Sequence, residues 1–126
     1  MQSRALVATL LVSGFLAACG GDKTAMRIGE VTTEGDPRRG AAAIRHYGCG
    51  SCHTIAGISN ARGLAGPPLT GIASRIYLAG VMQNTPPNML RWLENPKAVD
   101  EKTLMPNLGV TPRDAADIGA YLYTLK

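Results

Sequence analysis

The stretch RHYGCGSCHTIAG, residues 45–57, places Cys49 three positions before Cys52 and puts His53 directly after the second cysteine. A thioredoxin-like redox motif would need a preceding strand in a βαβ context, and the sequence shows none. A structural zinc site would need four ligands, usually from two pairs, and His46 is the only other histidine. A disulfide between neighbours so close would constrain little of the chain. Because these alternatives fit poorly, the remaining interpretation of Cys-x-x-Cys-His is an attachment site for haem c.

The spacing has a chemical reason. Two thiols three residues apart can add to the two vinyl groups on one edge of a porphyrin, and the next residue then lies beneath the iron. The motif therefore predicts thioether bonds from Cys49 and Cys52 to one covalent haem c, with His53 as an axial ligand of the iron.

The second axial ligand distinguishes a closed electron-transfer site from an open, ligand-binding one. Apart from Met1, the sequence contains four methionines: Met26, Met82, Met89 and Met105. Met89 lies on the apolar face of a predicted helix, where methionine is usually core, and Met82 remains a candidate on a loop. Met105 precedes a proline, which favours an extended backbone that can present a side chain inward. His46 is expected at the surface of its helix.

The N-terminus reads as an export signal. Residues 1–18 carry Arg4 and then an apolar run that is short for a membrane span. The end of this run, Leu-Ala-Ala followed by Cys19, resembles the lipobox of bacterial lipoproteins, so we expect Cys19 to become the lipidated N-terminus. The alternative is an ordinary cleaved signal that leaves a spare thiol in an oxidising compartment.

Composition divides the rest of the chain in two. Residues 19–35 are Gly-rich and polar after Cys19 and predict a flexible tether, and residues 36–126 form one domain. The full chain has a net charge of +4, which becomes +3 without Arg4. Basic residues cluster only at Arg38 and Arg39, so a nucleic-acid partner is not expected. With few aromatic residues and many glycines, the domain needs something besides side chains to fill its core.

Three helices are predicted, and each begins at a capping residue followed by proline: Asp36, Thr85 and Thr111. The first carries Gly40, Ala43, Ile44 and Tyr47 on one face and ends at Gly48; the second ends before Pro96; the third extends to Leu125. A short helix after Pro68 is also possible. No hairpin signal is evident, so we expect a small, loop-rich, all-α domain of three to four helices around one haem.

Four segments carry a family resemblance: GCGSCH, GPPLTGIASR, NMLRWLENP and LMPNLGVTPRDAADIGAYLYTLK. Over residues 36–126 the chain resembles a class I c-type cytochrome. It is most similar to the cytochrome c domain fused to subunit II of some bacterial haem-copper oxidases. The resemblance implies His53 and Met105 as axial ligands, and the Pro67 carbonyl as acceptor for the far nitrogen of His53. It also implies that Arg75 and Trp92 lie near the haem propionates, although each could instead be ordinary surface or core.

Two classes of function remain open at this point. The first is a one-electron carrier, not itself an enzyme, lipid-anchored on the periplasmic side of a bacterial membrane. It would take electrons from a quinol:cytochrome c reductase or another donor and pass them to a membrane haem-copper oxidase. The second is a haem c subunit of a periplasmic dehydrogenase or other respiratory complex, or a catalyst or sensor with an open iron site.

Overall fold

The computed structural model describes residues 32–126. Its elements are helix α1 (Pro37–His46), strands β1 (Tyr77–Leu78) and β2 (Met82–Gln83), and helices α2 (Pro86–Glu94), α3 (Pro96–Val99) and α4 (Pro112–Leu122). Two 3-10 turns, Cys49–Ser51 and Ile72–Ser74, lie in the connections. The fold class is the mostly helical one predicted. The predicted signal peptide, Cys19 and Met26 lie outside the described residues.

All three predicted helix starts are present, because their caps are local interactions. The side chains of Asp36, Thr85 and Thr111 accept from the backbone N–H groups of Arg38, Asn88 and Asp114 respectively. In each case proline follows the cap, where its missing N–H costs nothing. The third of these predicted helices, α4, ends at Leu122 and not at the predicted Leu125.

Helices α1 and α4 cross closely and bring the two ends of the described chain together. Gly40 makes this possible, since a Cβ there would lie 2.0 Å from the carbonyl oxygen of Asp117. Arg39 also bridges the pair, donating to both carboxylate oxygens of Asp117 at 2.7 and 2.8 Å. The backbone N–H of Asp36 donates to the same carboxylate at 2.7 Å. Burial opposes ionisation of Asp117, but these donors outweigh it and hold the pKa of its carboxyl below the usual value.

The packed part of the chain begins before Asp36. Residues 32–35 belong to the predicted tether, yet Thr33 is buried and its hydroxyl donates to the Ala116 carbonyl at 2.8 Å. Gly35 also lies against Ala116, where a Cβ would come within 2.1 Å of the carbonyl oxygen. Small residues allow this approach, so the last turn before α1 packs on α4.

Strands β1 and β2 form an antiparallel hairpin that the sequence did not predict. Each strand has two residues, too few for a visible alternation of apolar and polar side chains. The turn uses Ala79 and Gly80, both with positive φ, at 49° and 74°. Helix α3 is also absent from the sequence prediction, which treats Pro96 only as the end of α2. The side chain of Asn95 caps α3 by accepting from the N–H of Ala98.

The buried core joins α1, α2 and α4 to the loops between them. Ile44, Met89 and Ile118, one from each helix, are among its most deeply buried side chains. Within residues 32–126, no helix is long and apolar enough to cross a membrane.

Candidate functional site

A cavity of about 490 Å³ lies between the Cys-x-x-Cys-His motif and the loop that joins α3 to α4, residues 100–111, hereafter the Met105 loop. Its walls include every site residue predicted within the domain: Cys49, Cys52, His53, Pro67, Arg75, Trp92 and Met105. Residues from α1, α2 and α4 also line it. The fold therefore brings distant parts of the sequence to one cavity of the size typical of cofactor sites.

The motif is held as a tight turn at the end of α1. Gly48 adopts a left-handed conformation, with φ of 70°, and the 3-10 turn follows directly. The backbone N–H of His53 donates to the Cys49 carbonyl at 3.0 Å, which closes the turn. Cys49 and Cys52 form no disulfide with each other, and burial raises the pKa of the Cys49 thiol. Two thiols and an imidazole therefore share one wall of the cavity.

The imidazole of His53 is oriented by the segment after it. Nδ1 lies 2.7 Å from the carbonyl oxygen of Pro67, which can only accept, so Nδ1 carries the proton. No atom of residues 32–126 hydrogen-bonds to Nε2, whose lone pair is left for a metal ion. The N–H of Gly66 donates to the Cys52 carbonyl at 2.8 Å and fixes this segment to the motif.

Hydrogen bonds to helix α3 and its cap hold the Met105 loop in place. The backbone N–H of Met105 donates to the Thr103 hydroxyl at 3.2 Å. The ammonium group of Lys97, in α3, donates to the carbonyls of Thr103 and, at 3.3 Å, Glu101. Asn107 donates to the side-chain oxygen of Asn95 at 2.9 Å. Residues on both sides of Met105 are therefore tied to α3 or to its capping residue, Asn95.

The other candidate ligands are placed less favourably. Met89 lines the cavity but is only 1% exposed within the core of α2. Met82 packs against the core and is not among the residues lining the cavity. His46 is exposed and lies edge-on to Tyr47, as expected for a surface residue.

Arg75 is half-buried at the cavity and donates to the carbonyls of Pro68 and Thr70. Asn84 holds the backbone beneath it, donating from Nδ2 to the carbonyls of Ile72 and Arg75 at 2.8 and 2.9 Å. Sequence reasoning missed Asn84, since a lone asparagine before a helix cap carries no signal for a contact with Arg75. Trp92 is half-buried on α2 and lines the same cavity.

The cavity suits a covalently held porphyrin. Most of its walls are apolar, including Ile44, Ile55, Leu69, Ile72, Leu78, Met89, Leu93, Met105, Ile118 and Leu122. The thiols of Cys49 and Cys52 and the imidazole of His53 lie on one wall of the cavity, and the Met105 loop contributes a thioether. Within the described residues, no group of three or more His, Cys, Asp or Glu side chains is arranged to hold a metal ion.

Comparison with known proteins agrees with this geometry. Residues 37–126 match the cytochrome c family. The chain is also similar to cytochrome c oxidase subunit 2 of Alkalihalophilus pseudofirmus, with 29% identity over 98 residues, 77% of this chain and 28% of that protein. The chain thus corresponds to under a third of that relative's length, and no solved structure matches it. Because the match covers the whole helical domain and the cavity it encloses, the chain belongs to the cytochrome c family, with a covalently bound haem c and a function in electron transfer.

Proposed function

We propose that the chain carries single electrons through a haem c attached to Cys49 and Cys52 and ligated by His53 and Met105. The observation that supports this most strongly is that all four side chains line one cavity of about 490 Å³. Arg75 and Trp92 line it too and would lie near the propionates. With both axial positions filled by the protein, the site would be closed to exogenous ligands, as suits a carrier.

The bound haem c supplies a one-electron Fe(III)/Fe(II) couple. The Pro67 carbonyl keeps the proton on Nδ1 of His53 and increases the donor strength of Nε2. The apolar walls exclude water, and the Met105 loop presents a soft thioether that favours a higher reduction potential.

Methionine substitutions test the ligation. Met105→Ala should abolish the sulfur-to-iron band of the ferric spectrum, lower the potential and let added imidazole or cyanide bind. Met82→Ala is the matched control, because Met82 lies off the cavity, and it should keep the band. Met89→Ala should destabilise the core yet also keep the band. Loss of the band in Met82→Ala or Met89→Ala alone would reassign the ligand and contradict the proposal.

We further propose that Cys19 is lipidated, that the domain stands on the periplasmic side of a bacterial membrane, and that a haem-copper oxidase accepts its electrons. The lipobox-like sequence before Cys19 supports the anchor. The similar protein is a subunit of cytochrome c oxidase, which supports an oxidase as the electron acceptor. A quinol:cytochrome c reductase, or another donor, would supply the electrons.

The anchor and the partner have a joint test. Charged side chains in and beside the Met105 loop cancel, so long-range steering should be weak; they are Lys97, Asp100, Glu101 and Lys102. Anchoring instead raises the effective concentration at a membrane partner. Removing the anchor should slow oxidation by native membranes far more than moderate salt slows the anchored protein. Equal rates with and without the anchor would contradict this.

A second candidate function is that of a fixed haem c subunit of a respiratory complex. The same relative favours it, because the region similar to this chain is part of an oxidase subunit in that protein. Mild-detergent purification separates the two. A carrier elutes alone, and a fixed subunit elutes with its complex in constant proportion.

A further inference from the structure

The hairpin exposes apolar side chains that the haem cavity does not use. Ile76, Tyr77 and Val81 are 76%, 57% and 52% exposed; we call these three residues the hairpin surface. None of them lines the cavity, whereas the exposed Leu104 and Leu108 do. A group filling the cavity would therefore cover Leu104 and Leu108 and leave the hairpin surface in solvent.

The hairpin surface is held out from the domain by a rigid base. Leu78, between the exposed residues, is 2% exposed and anchors β1 in the core. The N–H of Asn84 donates to the Ile76 carbonyl at 2.8 Å, and Tyr123 donates to the side-chain oxygen of Asn84 at 2.9 Å. The turn closes through the N–H of Val81 and the Leu78 carbonyl at 3.0 Å. The exposed side chains are thus presented by a fixed scaffold.

The segment that carries this surface has no charge. Residues 76–90 contain no Asp, Glu, Lys or Arg, and the flanking charges are Arg75 and Arg91. Ionised side chains are costly to bring into a lipid head-group region, whereas tyrosine and aliphatic residues partition there readily. Its composition therefore suits the interface of a bilayer.

Chain length brings the domain to such an interface. Thirteen Cα–Cα steps separate Cys19 from Thr32, where the described chain begins, and they span at most about 45 Å when fully extended. A 95-residue domain has a radius of gyration of about 12 Å. If Cys19 is anchored, the domain cannot move farther from the lipid surface than this span allows, so its faces can reach the head groups.

We propose that the hairpin surface is a lipid-docking site, with Ile76, Tyr77 and Val81 inserted among the head groups of the bilayer that holds Cys19. The proposal rests on the lipid anchor of the proposed function. It sets the orientation of the haem domain on the membrane. Because the segment is uncharged, docking depends on apolar burial and is insensitive to salt and to the fraction of anionic lipid.

Thiol protection tests the docking. In the mature holoprotein the haem consumes Cys49 and Cys52, and lipid blocks Cys19, so Val81→Cys adds a unique reactive thiol. On phosphatidylcholine vesicles it should react with a charged maleimide about tenfold more slowly than in the soluble Cys19→Ser form of the same variant without vesicles, the ratio expected for burying one valine-sized side chain. Ser59→Cys, at an exposed position outside the hairpin surface, is the control and should change little.

Sedimentation with the vesicles separates failure of the anchor from failure of the docking. If the protein sediments and position 81 reacts as fast as position 59, the docking proposal is wrong and the anchor stands. If the protein does not sediment, the anchor is wrong. Docking is then tested with excess vesicles and the full mature chain secreted with Cys19→Ser. In that experiment, protection at position 81 supports docking, and equal rates at positions 81 and 59 overturn it. Protection that appears only with native membrane proteins would assign the surface to a protein partner and overturn the proposal.

Discussion

Gly66 packs directly against the imidazole of His53. A Cβ at Gly66 would sit 2.4 Å from Cε1 and 2.7 Å from Nδ1 of the ring. Such distances are far inside van der Waals contact, so any side chain at this position must displace either the ring or its own backbone. The next residue, Pro67, accepts the hydrogen bond from the same ring. The position and the tautomer of His53 are therefore set by two consecutive residues.

Gly66→Ala should move the imidazole and weaken the bond from Nδ1 to Pro67. A weaker bond makes the ring a poorer donor, so the reduction potential should rise, and the low-spin ferric EPR g values should shift. Redox titration and EPR of the purified protein measure both. Gly71→Ala is the control, since a Cβ there has no neighbour within 4 Å and only its φ of 69° is unfavourable. An unchanged EPR spectrum in Gly66→Ala would refute the contact.

Asp117 should link stability to pH. Hydrogen bonds and neighbouring cations hold the pKa of Asp117 below its usual value of 3.8, so the folded state favours its ionised form. This stabilisation is complete above the unfolded-state pKa and is lost as the pH falls through the lower folded-state pKa. Asp117→Asn should reduce the free energy of unfolding by about 2 kcal/mol at pH 7, the scale of hydrogen bonds to a charged group.

Urea unfolding between pH 2 and pH 7 measures this effect. The gap between wild type and Asp117→Asn should narrow as the pH falls below about 4. Glu101→Gln removes an acid from an exposed position and serves as the control, with little change at any pH. A gap between wild type and Asp117→Asn that is constant with pH would mean that packing, and not ionisation, causes the loss.

Lys97 should restrain the Met105 loop through hydrogen bonds and not through its charge alone. Lys97→Met removes its bonds to the carbonyls of Glu101 and Thr103 and keeps the length of the side chain. If Met105 is the ligand, added imidazole should bind the ferric protein about fivefold faster, as expected for losing roughly 1 kcal/mol of restraint. Lys102→Met removes the same charge from an exposed neighbour. Equal acceleration in both variants would assign the effect to charge.

Without haem, the domain should not fold cooperatively. The cavity of about 490 Å³ lies between α1, α2 and α4, so its emptiness would remove packing from three helices at once. The double variant Cys49→Ser and Cys52→Ser, expressed in the periplasm, should show reduced helix content by circular dichroism and no sharp thermal transition. A stable product with the full helix content of the haem-bound protein would contradict this expectation.

The helix starts could be predicted because each depends on neighbours in sequence, as at Asp36, Thr85 and Thr111. The attachment motif of Cys49, Cys52 and His53 could be predicted because it follows a chemical spacing, and the structure places it in one cavity with the other predicted site residues of the domain. The structure showed what depends on distant contacts. Asn84 beneath Arg75 and Gly66 against His53 arise only from folding, and no local pattern marks them. The hairpin was missed for a different reason: its turn places Ala79, a residue without turn preference, at positive φ.

The crossing of α1 and α4 has a consequence for the order of events during maturation. Arg39 and Asp117 are 78 positions apart, so the ion pair cannot form until nearly the whole chain is present. In a chain that emerges N-terminus first, Cys49 and Cys52 are delivered well before α4. Until α4 is present, the two thiols belong to an open polypeptide that is accessible to haem, and the last helix then completes the packing around the cavity.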